Sequence, residues 1–206
     1  MSSFLFSSPV LFLIWTGALL TAITVHEFAH AWTADRLGDP TPRLQGRLTL
    51  NPLAHLDPIG TLMLLLVKIG WGKPVQFDPF NLKNPKRDAA IISLAGPTSN
   101  IILAVILAII LKLTQVSLIA PFVSLNIVLA VFNLVPIHPL DGGKILVGLL
   151  PPADAAKVDL FLKRYGLFIL IFLVFPLFGN SPIFYVISPV INFILDILLP
   201  RQLMLY

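Results

Sequence analysis

The sequence of residues 9–34 is PVLFLIWTGALLTAITVHEFAHAWTA, an apolar run whose first ionisable side chains are His26 and Glu27. A helix needs about 20 apolar residues to cross a bilayer, so this run predicts a membrane-spanning helix with a polar motif near its end. Pro9 suits the first helical turn, and Gly38-Asp39-Pro40 is expected to end the helix. Because the start is uncharged and the motif lies inside the run, we expect a retained span rather than a signal peptide.

The composition of the whole chain is that of a membrane protein. Of its 206 residues, 57% are hydrophobic and only 12% are charged, and the mean hydropathy is +0.91. The length leaves room for several spans but not for a separate soluble domain of ordinary size. The absence of cysteine excludes a disulfide framework and a cysteine-bound metal. The net charge of +4 is not gathered in a continuous basic block, so we expect no nucleic-acid partner.

Apolar runs later in the chain predict further spans, giving about five transmembrane helices in an all-α polytopic fold. The stretch between Asp88 and Lys112 is uncharged and long enough to cross a bilayer, and so is the stretch between Lys112 and Asp141. After a polar connector at 151–164, a C-terminal helical hairpin is expected at about 165–199. We therefore predict one membrane-embedded domain over residues 1–206.

Two shorter segments are predicted not to span the membrane. Residues 58–69 are apolar but too few to cross, which favours a re-entrant or interfacial helix. Polar and apolar residues alternate at the end of the segment 43–50, which favours a short membrane-associated β element.

The distribution of basic residues predicts the orientation. With five spans and an outside N-terminus, 12 of the 14 Lys and Arg residues fall in loops on one side, Arg201 joins them, and only Lys112 lies opposite. The positive-inside rule makes the basic side cytoplasmic. The end of the first helix and the loop before Asp141 are then both on the cytoplasmic side.

The run His26-Glu27-Phe28-Ala29-His30 has the spacing of a metal site. On a helix, His26 and His30 lie roughly 40° apart on one face and can bind one metal, with Glu27 next to a water on that metal. Such a water has its pKa lowered to about 7 and can give its proton to Glu27, which is the geometry of metal-assisted hydrolysis.

A catalytic zinc needs three protein ligands, and the two histidines supply only two. Asp141 is the best candidate for the third, because it is the sole acidic residue between Asp88 and Asp154 and a lone carboxylate in an apolar loop is costly. Other polar residues leave alternatives open. His55 and His138 are either auxiliary groups near the metal or interfacial side chains, and Asn100 either permits close helix packing or lies near the substrate.

Four segments, in this order, resemble the site-2 proteases, the intramembrane zinc metalloproteases. They are HEFAH at 26–30, GRLTLNPLAHLDPIG at 46–60, AGPTSN at 95–100 and FNLVPIHPLDGG at 132–143. HExxH alone is a weak pattern, but its occurrence with the Asn-Leu-x-Pro and Leu-Asp-Gly-Gly elements is specific. The resemblance covers roughly residues 9–150 and is strongest to short members without a PDZ domain.

The resemblance implies one Zn²⁺ per chain on His26, His30 and Asp141, with Glu27 as catalytic base. It implies that Asn133 holds the scissile peptide or its oxyanion. It also implies that the segment containing Arg47, Leu48, Thr49 and Leu50 pairs with an unwound substrate. His138 departs from the family, which more often has a small residue or proline at that place.

The partners implied by the resemblance are membrane proteins with a transmembrane segment, cleaved within the lipid bilayer of a bacterial or archaeal-type cell membrane. The sequence leaves a homo-oligomer open. Three rival functions are a zinc-binding scaffold, a metal transporter and a zinc hydrolase of a non-peptide amide. A transporter should carry polar positions along a path across the membrane, and apart from Lys112 the external side is almost free of charge.

Overall fold

The computed structural model describes residues 8–60, 72–175 and 181–200, and within these ranges the chain is helical, without a β-strand. The α-helices are α1 (Pro9–Arg36), α2 (Thr41–Leu44), α3 (Pro85–Thr114), α4 (Ala120–Asn133), α5 (Asp141–Leu149), α6 (Pro152–Val174) and α7 (Pro182–Leu198). Short 3-10 helices occur at Pro52–Ala54, Pro79–Asn81 and Ser117–Ile119.

Two of these helices, α1 with 28 residues and α3 with 30, are long and apolar enough to cross a membrane. They match the first two predicted spans, and Pro97 lies inside α3 without ending it. Helices α4 and α7 are apolar but have only 14 and 17 residues. The described residues thus confirm an all-helical fold with two candidate spans, and the total of five stays a prediction.

Helices α1 and α3 run antiparallel and form the centre of the fold. His30, late in α1, contacts Ile92, early in α3, whereas Ala22, a little earlier in α1, contacts Asn100, later in α3. The second half of α3 packs with α4 and α7 in an apolar core that includes Ala104, Ala108, Val123, Ile127, Ile183 and Ile187. Many large apolar side chains on the outer faces of α3 and α6 are exposed, as expected for helices surrounded by lipid.

Three predictions of local structure have different outcomes. The β element at 43–50 is wrong, because α2 occupies the start of this segment and Gly46 then turns the chain with φ at +70°. The predicted polar connector at 151–164 is helical from Pro152 onward and forms the first half of α6. Most of the predicted re-entrant helix at 58–69 lies outside the described residues.

The loop after α1 is organised by Asp39, whose side chain is completely buried. Its Oδ1 accepts hydrogen bonds from the backbone N–H and hydroxyl of Thr41 and from the amide of Asn81, and its Oδ2 accepts from the N–H of Asp78. Burial raises the pKa of Asp39, but the hydrogen bonds from Thr41 and Asn81 outweigh this and the pKa is lowered overall. Asp39 therefore ties the end of α1 to the segment that precedes α3.

Replacing Asp39 with Ala is expected to lower the free energy of unfolding by roughly 3 kcal/mol, because the change removes the buried acceptor of four hydrogen bonds and leaves their partly buried donors without a partner. The lowered pKa means that this stabilisation is present above the unfolded-state pKa, near 4, and is lost as the pH falls through the folded-state value. Thermal unfolding in detergent, measured against pH, checks both points. Asp35→Ala is the control, because its ion pair with the exposed Arg43 is worth about 1 kcal/mol or less. Equal loss in both variants would contradict the role given to Asp39.

Candidate metal centre

Three buried side chains from two helices converge on one point. His26 and His30 lie on one face of α1, and Asp141 is the first residue of α5. The Oδ2 atom of Asp141 is 3.0 Å from His26 Nε2 and 3.2 Å from His30 Nε2. One ligand atom from each residue lies within 4.8 Å of the others, so a single metal ion can contact all three.

The His26 imidazole is oriented by a chain of buried amides. Asn100 donates through Nδ2 to the carbonyl oxygen of Ala22 at 2.9 Å and to Asn126 Oδ1 at 2.7 Å. These two acceptors fix the orientation of the Asn100 amide, so that its Oδ1 accepts from His26 Nδ1 at 2.6 Å. The proton of His26 is therefore on Nδ1, and the lone pair is on Nε2.

The His30 imidazole is oriented by backbone. Its Nδ1 lies 2.7 Å from the carbonyl oxygen of Ile92, which can only accept, so this nitrogen also carries the proton. The Nε2 lone pairs of His26 and His30 then both meet the carboxylate of Asp141. Two imidazole nitrogens with one carboxylate oxygen are a donor set that zinc accepts, and their ligand atoms are close enough together to share one ion. The residues present fit a zinc ion.

Gly96 lets α3 approach the two imidazoles closely. A Cβ atom at this position would lie 2.5 Å from His30 Nε2 and 2.7 Å from His26 Cε1. Both rings are held by hydrogen bonds, so neither can move aside without losing its orientation. Only glycine fits here.

Replacing Gly96 with Ala is expected to weaken zinc binding by about 10- to 100-fold, the range seen when groups that orient metal ligands are altered. Zinc content measured in a series of zinc buffers checks this. The control is Gly17→Ala in α1, whose new Cβ would meet only Phe122 Cζ, at 3.8 Å. Unchanged zinc affinity in Gly96→Ala would show that the two imidazoles do not have the orientation described.

A cavity of about 100 Å³ adjoins the three side chains. Glu27 lines it, and its Oε2 accepts a hydrogen bond of 2.8 Å from the backbone N–H of Val75. The non-helical segment 72–78 therefore lies against the HEFAH segment of α1. Asn133 at the end of α4 and Lys144, one turn into α5, also line the cavity, and the Lys144 ammonium lies 5.0 Å from the centre of the Phe77 ring.

Several residues singled out from the sequence lie elsewhere. Arg47, Leu48, Thr49 and Leu50 do not line the cavity. They form a loop folded on itself, in which Arg47 donates to the carbonyl oxygen of Ala54 and His55 bonds the carbonyl oxygen of Thr49 at 2.8 Å. His55 is fully buried in this loop and is not part of the metal-binding group. The auxiliary role of His55 stays a prediction, since its side chain is placed in this loop and not with His26, His30 and Asp141.

His138 is likewise not part of the metal-binding group. Its Nε2 lies 3.2 Å from Asp159 on α6, and Lys163 donates to the other oxygen of Asp159 at 2.6 Å. Burial alone would raise the pKa of Asp159. The hydrogen bonds from Lys163 and His138 outweigh this effect, so the pKa lies below its ordinary value. His138 thus connects the loop before Asp141 to α6.

Sequence reasoning left the role of Asn100 open and missed Ile92, Ser93, Gly96 and Val75. The spacing of Ser93, Gly96 and Asn100 along the chain could have indicated that these three residues belong together. They recur at helical spacing in an otherwise apolar span, so one face of the helix carries small and polar residues. No pattern could have identified Ile92 or Val75, because both act through their backbone.

An apolar helical fold with a buried His-His-Asp group beside a glutamate is the arrangement of a membrane-bound metallohydrolase. The chain belongs to Peptidase family M50, the site-2 protease family, whose profile matches residues 14–122 and 111–177. This membership makes the protein a zinc metalloprotease of a membrane, with zinc as its cofactor.

Named relatives agree with this membership. “Putative zinc metalloprotease YwhC” of Bacillus subtilis (strain 168) is 37% identical over 188 residues, which cover 84% of each chain. “Putative zinc metalloprotease Rip2” of Mycolicibacterium smegmatis is 34% identical over 179 residues, which cover 79% of this chain and 66% of the relative. No solved structure matches the chain.

Proposed function

We propose that this metalloprotease is an intramembrane endopeptidase, which hydrolyses peptide bonds in or near the transmembrane segments of membrane-anchored proteins. The observation that carries the proposal is the convergence of His26, His30 and Asp141 within the apolar length of α1. His26 precedes the end of α1 at Arg36 by ten residues, or roughly 15 Å of helix, whereas the hydrocarbon core is about 30 Å thick. This position favours a reaction below the membrane surface.

In the proposed site His26, His30 and Asp141 hold the zinc. When bound, zinc polarises a carbonyl group and lowers the pKa of a bound water. Glu27 would take a proton from the water that attacks the peptide carbonyl and would return it to the nitrogen of the leaving peptide group. The Val75 N–H donates to one carboxylate oxygen of Glu27 and so positions it, while the second oxygen is available as the base.

Asn133 is proposed to bind the substrate. It lines the cavity, and its Nδ2 donates to the carbonyl oxygen of Leu129 at 3.0 Å. An amide nitrogen has two protons, so one is left to donate to a substrate carbonyl.

The substrate must unwind before it is cut, because a helix hides its peptide carbonyls. We assign the pairing with unwound substrate to the segment 72–78 rather than to Arg47–Leu50. The backbone of 72–78 reaches Glu27, and Pro74, Val75 and Phe77 line the cavity. In the Arg47–Leu50 loop, by contrast, the N–H and carbonyl groups of Arg47 and Thr49 are already bonded to neighbouring residues. Strand addition along 72–78 would satisfy the freed backbone groups of the substrate.

The proposal includes a multi-pass topology with the site toward the cytoplasmic side, as the basic loops favour. Arg36 and Lys112 mark opposite ends of the antiparallel pair α1 and α3, which agrees with Lys112 lying on the external side. The partners are membrane-protein substrates and the lipid bilayer.

The test is cleavage of a panel of single-span membrane proteins by zinc-loaded protein in detergent. Wild type should cut at least one substrate, should lose activity on zinc removal and should regain it when zinc is restored. His26→Ala should not regain activity at the same zinc concentration. Zinc uptake without cleavage of any peptide, together with hydrolysis of a small amide, would favour a non-peptide hydrolase and contradict the proposal.

A further inference from the structure

We infer that the hydroxyl of Ser93 donates a hydrogen bond to the carbonyl oxygen of the peptide bond that is cleaved. This assigns a substrate-binding role to a residue outside the zinc-binding motif. The inference rests on the proposed function, because it concerns the same cavity.

The Ser93 side chain is buried and lines the cavity. Only 1% of its surface is exposed, and its Oγ has no hydrogen-bond partner among the described residues. A buried hydroxyl without a partner is unfavourable and calls for an explanation. The cavity has room for several water molecules or for a peptide group, so its occupant can supply the missing partner.

The neighbours of Ser93 on α3 are already committed to the histidines. The carbonyl oxygen of Ile92 accepts from His30, Gly96 allows the close approach of both rings, and Asn100 accepts from His26. These residues make one face of α3 a wall of the metal centre. Ser93 is the polar side chain of this wall that no imidazole uses.

Ser93 also differs from other helical hydroxyls of the chain. Hydroxyl groups in helices commonly donate to a carbonyl one turn earlier, as Ser99 does to Gly96 at 2.7 Å and Thr114 does to Ile110 at 2.8 Å. The Ser93 hydroxyl makes no such bond. Its proton is therefore available to a group in the cavity.

The chemistry of the cavity identifies the group that needs this proton. Glu27 and Asp141 present carboxylate oxygens, which only accept hydrogen bonds when ionised. A carbonyl oxygen gains negative charge during hydrolysis and is stabilised by donors placed beside it. Ser93 on α3 and Asn133 on α4 are neutral donors in the cavity wall, and Lys144 is engaged with the Phe77 ring.

The experiment measures binding of acetohydroxamate, a small zinc ligand with two oxygen atoms, to the zinc-loaded full chain. Ser93→Ala should raise the Kd of acetohydroxamate about tenfold, because this factor corresponds to the loss of one ordinary hydrogen bond. Zinc content and the thermal unfolding temperature of the metal-free protein should not fall, since the lost hydroxyl has no partner there. With a cleavable membrane substrate, kcat/KM should fall about 10- to 100-fold. Ser99→Ala is the matched control and should leave Kd within about twofold of wild type, because its hydroxyl already donates to backbone carbonyl oxygens, that of Gly96 at 2.7 Å and that of Val25 at 3.4 Å.

The outcomes separate this inference from the proposed function. Unchanged Kd and kcat/KM in Ser93→Ala, with zinc-dependent binding to wild type, would overturn the role of Ser93 alone. If Ser93→Ala lowered the unfolding temperature but left the Kd of acetohydroxamate unchanged, Ser93 would stabilise the fold and would not bind the substrate. Binding of acetohydroxamate that persists equally in His26→Ala would overturn the proposed metal site and this inference with it.

Discussion

Replacing Glu27 with Gln is expected to reduce the rate of peptide hydrolysis by about 10²- to 10⁴-fold while leaving zinc bound, because a positioned general base accelerates a reaction by that factor. Glu27 is the only glutamate of the chain, and it lies beside the metal-binding group with one oxygen held by the Val75 N–H. Glutamine keeps the size of the side chain but cannot accept the proton. The measurement is the initial rate of substrate cleavage, with zinc content determined on the same samples.

The control for this change is Asp196→Asn, which removes a carboxylate charge at an exposed position near the end of α7. It should keep full activity. Turnover near the wild-type rate in Glu27→Gln would show that another group accepts the proton. Loss of zinc from Glu27→Gln would instead show that Glu27 is a ligand.

Replacing Asp141 with Ala is expected to lower zinc affinity by more than about 100-fold. Mutating residues that only hydrogen-bond to metal ligands already lowers metal affinity about 10- to 100-fold, and the loss of a ligand should have a larger effect. Without this carboxylate the two imidazoles are left as the only ligands of the group, and a catalytic zinc needs three. The measurement is zinc content at several buffered zinc concentrations. Activity should follow zinc occupancy.

The matched control for Asp141 is Asp154→Ala. Asp154 is also an acidic residue in the first turn of a helix, but it is exposed and belongs to α6. A helix-terminal carboxylate of this kind affects mainly helix stability. If both variants lost zinc equally, or if Asp141→Ala kept its zinc, Asp141 would not be a ligand.

The sequence predicted the parts of this protein that depend on local pattern. The apolar run of α1 and the spacing of His26 and His30 follow from helical periodicity, and the structure has both. Asp141 could be selected because a lone carboxylate in an apolar segment needs compensation. The structure places its carboxylate within 3.2 Å of both imidazoles.

The parts that could not be predicted depend on contacts between distant segments. The strand expected at 43–50 failed because Gly46 turns the chain and the Arg47 guanidinium finds a carbonyl seven residues later. The orientation of His26 depends on Asn100, which is 74 residues away, and that of His30 on a backbone carbonyl. A backbone carbonyl has no sequence signature.

The most direct test of the account is the position of the cut in a single-span substrate reconstituted with the zinc-loaded protein in liposomes. Mass spectrometry of the new chain ends should place the cleaved bond within the transmembrane segment or at its cytoplasmic edge. Those products should be absent with Glu27→Gln. Cleavage only in a soluble loop far from the membrane, or equal cleavage by Glu27→Gln, would contradict intramembrane hydrolysis by this site.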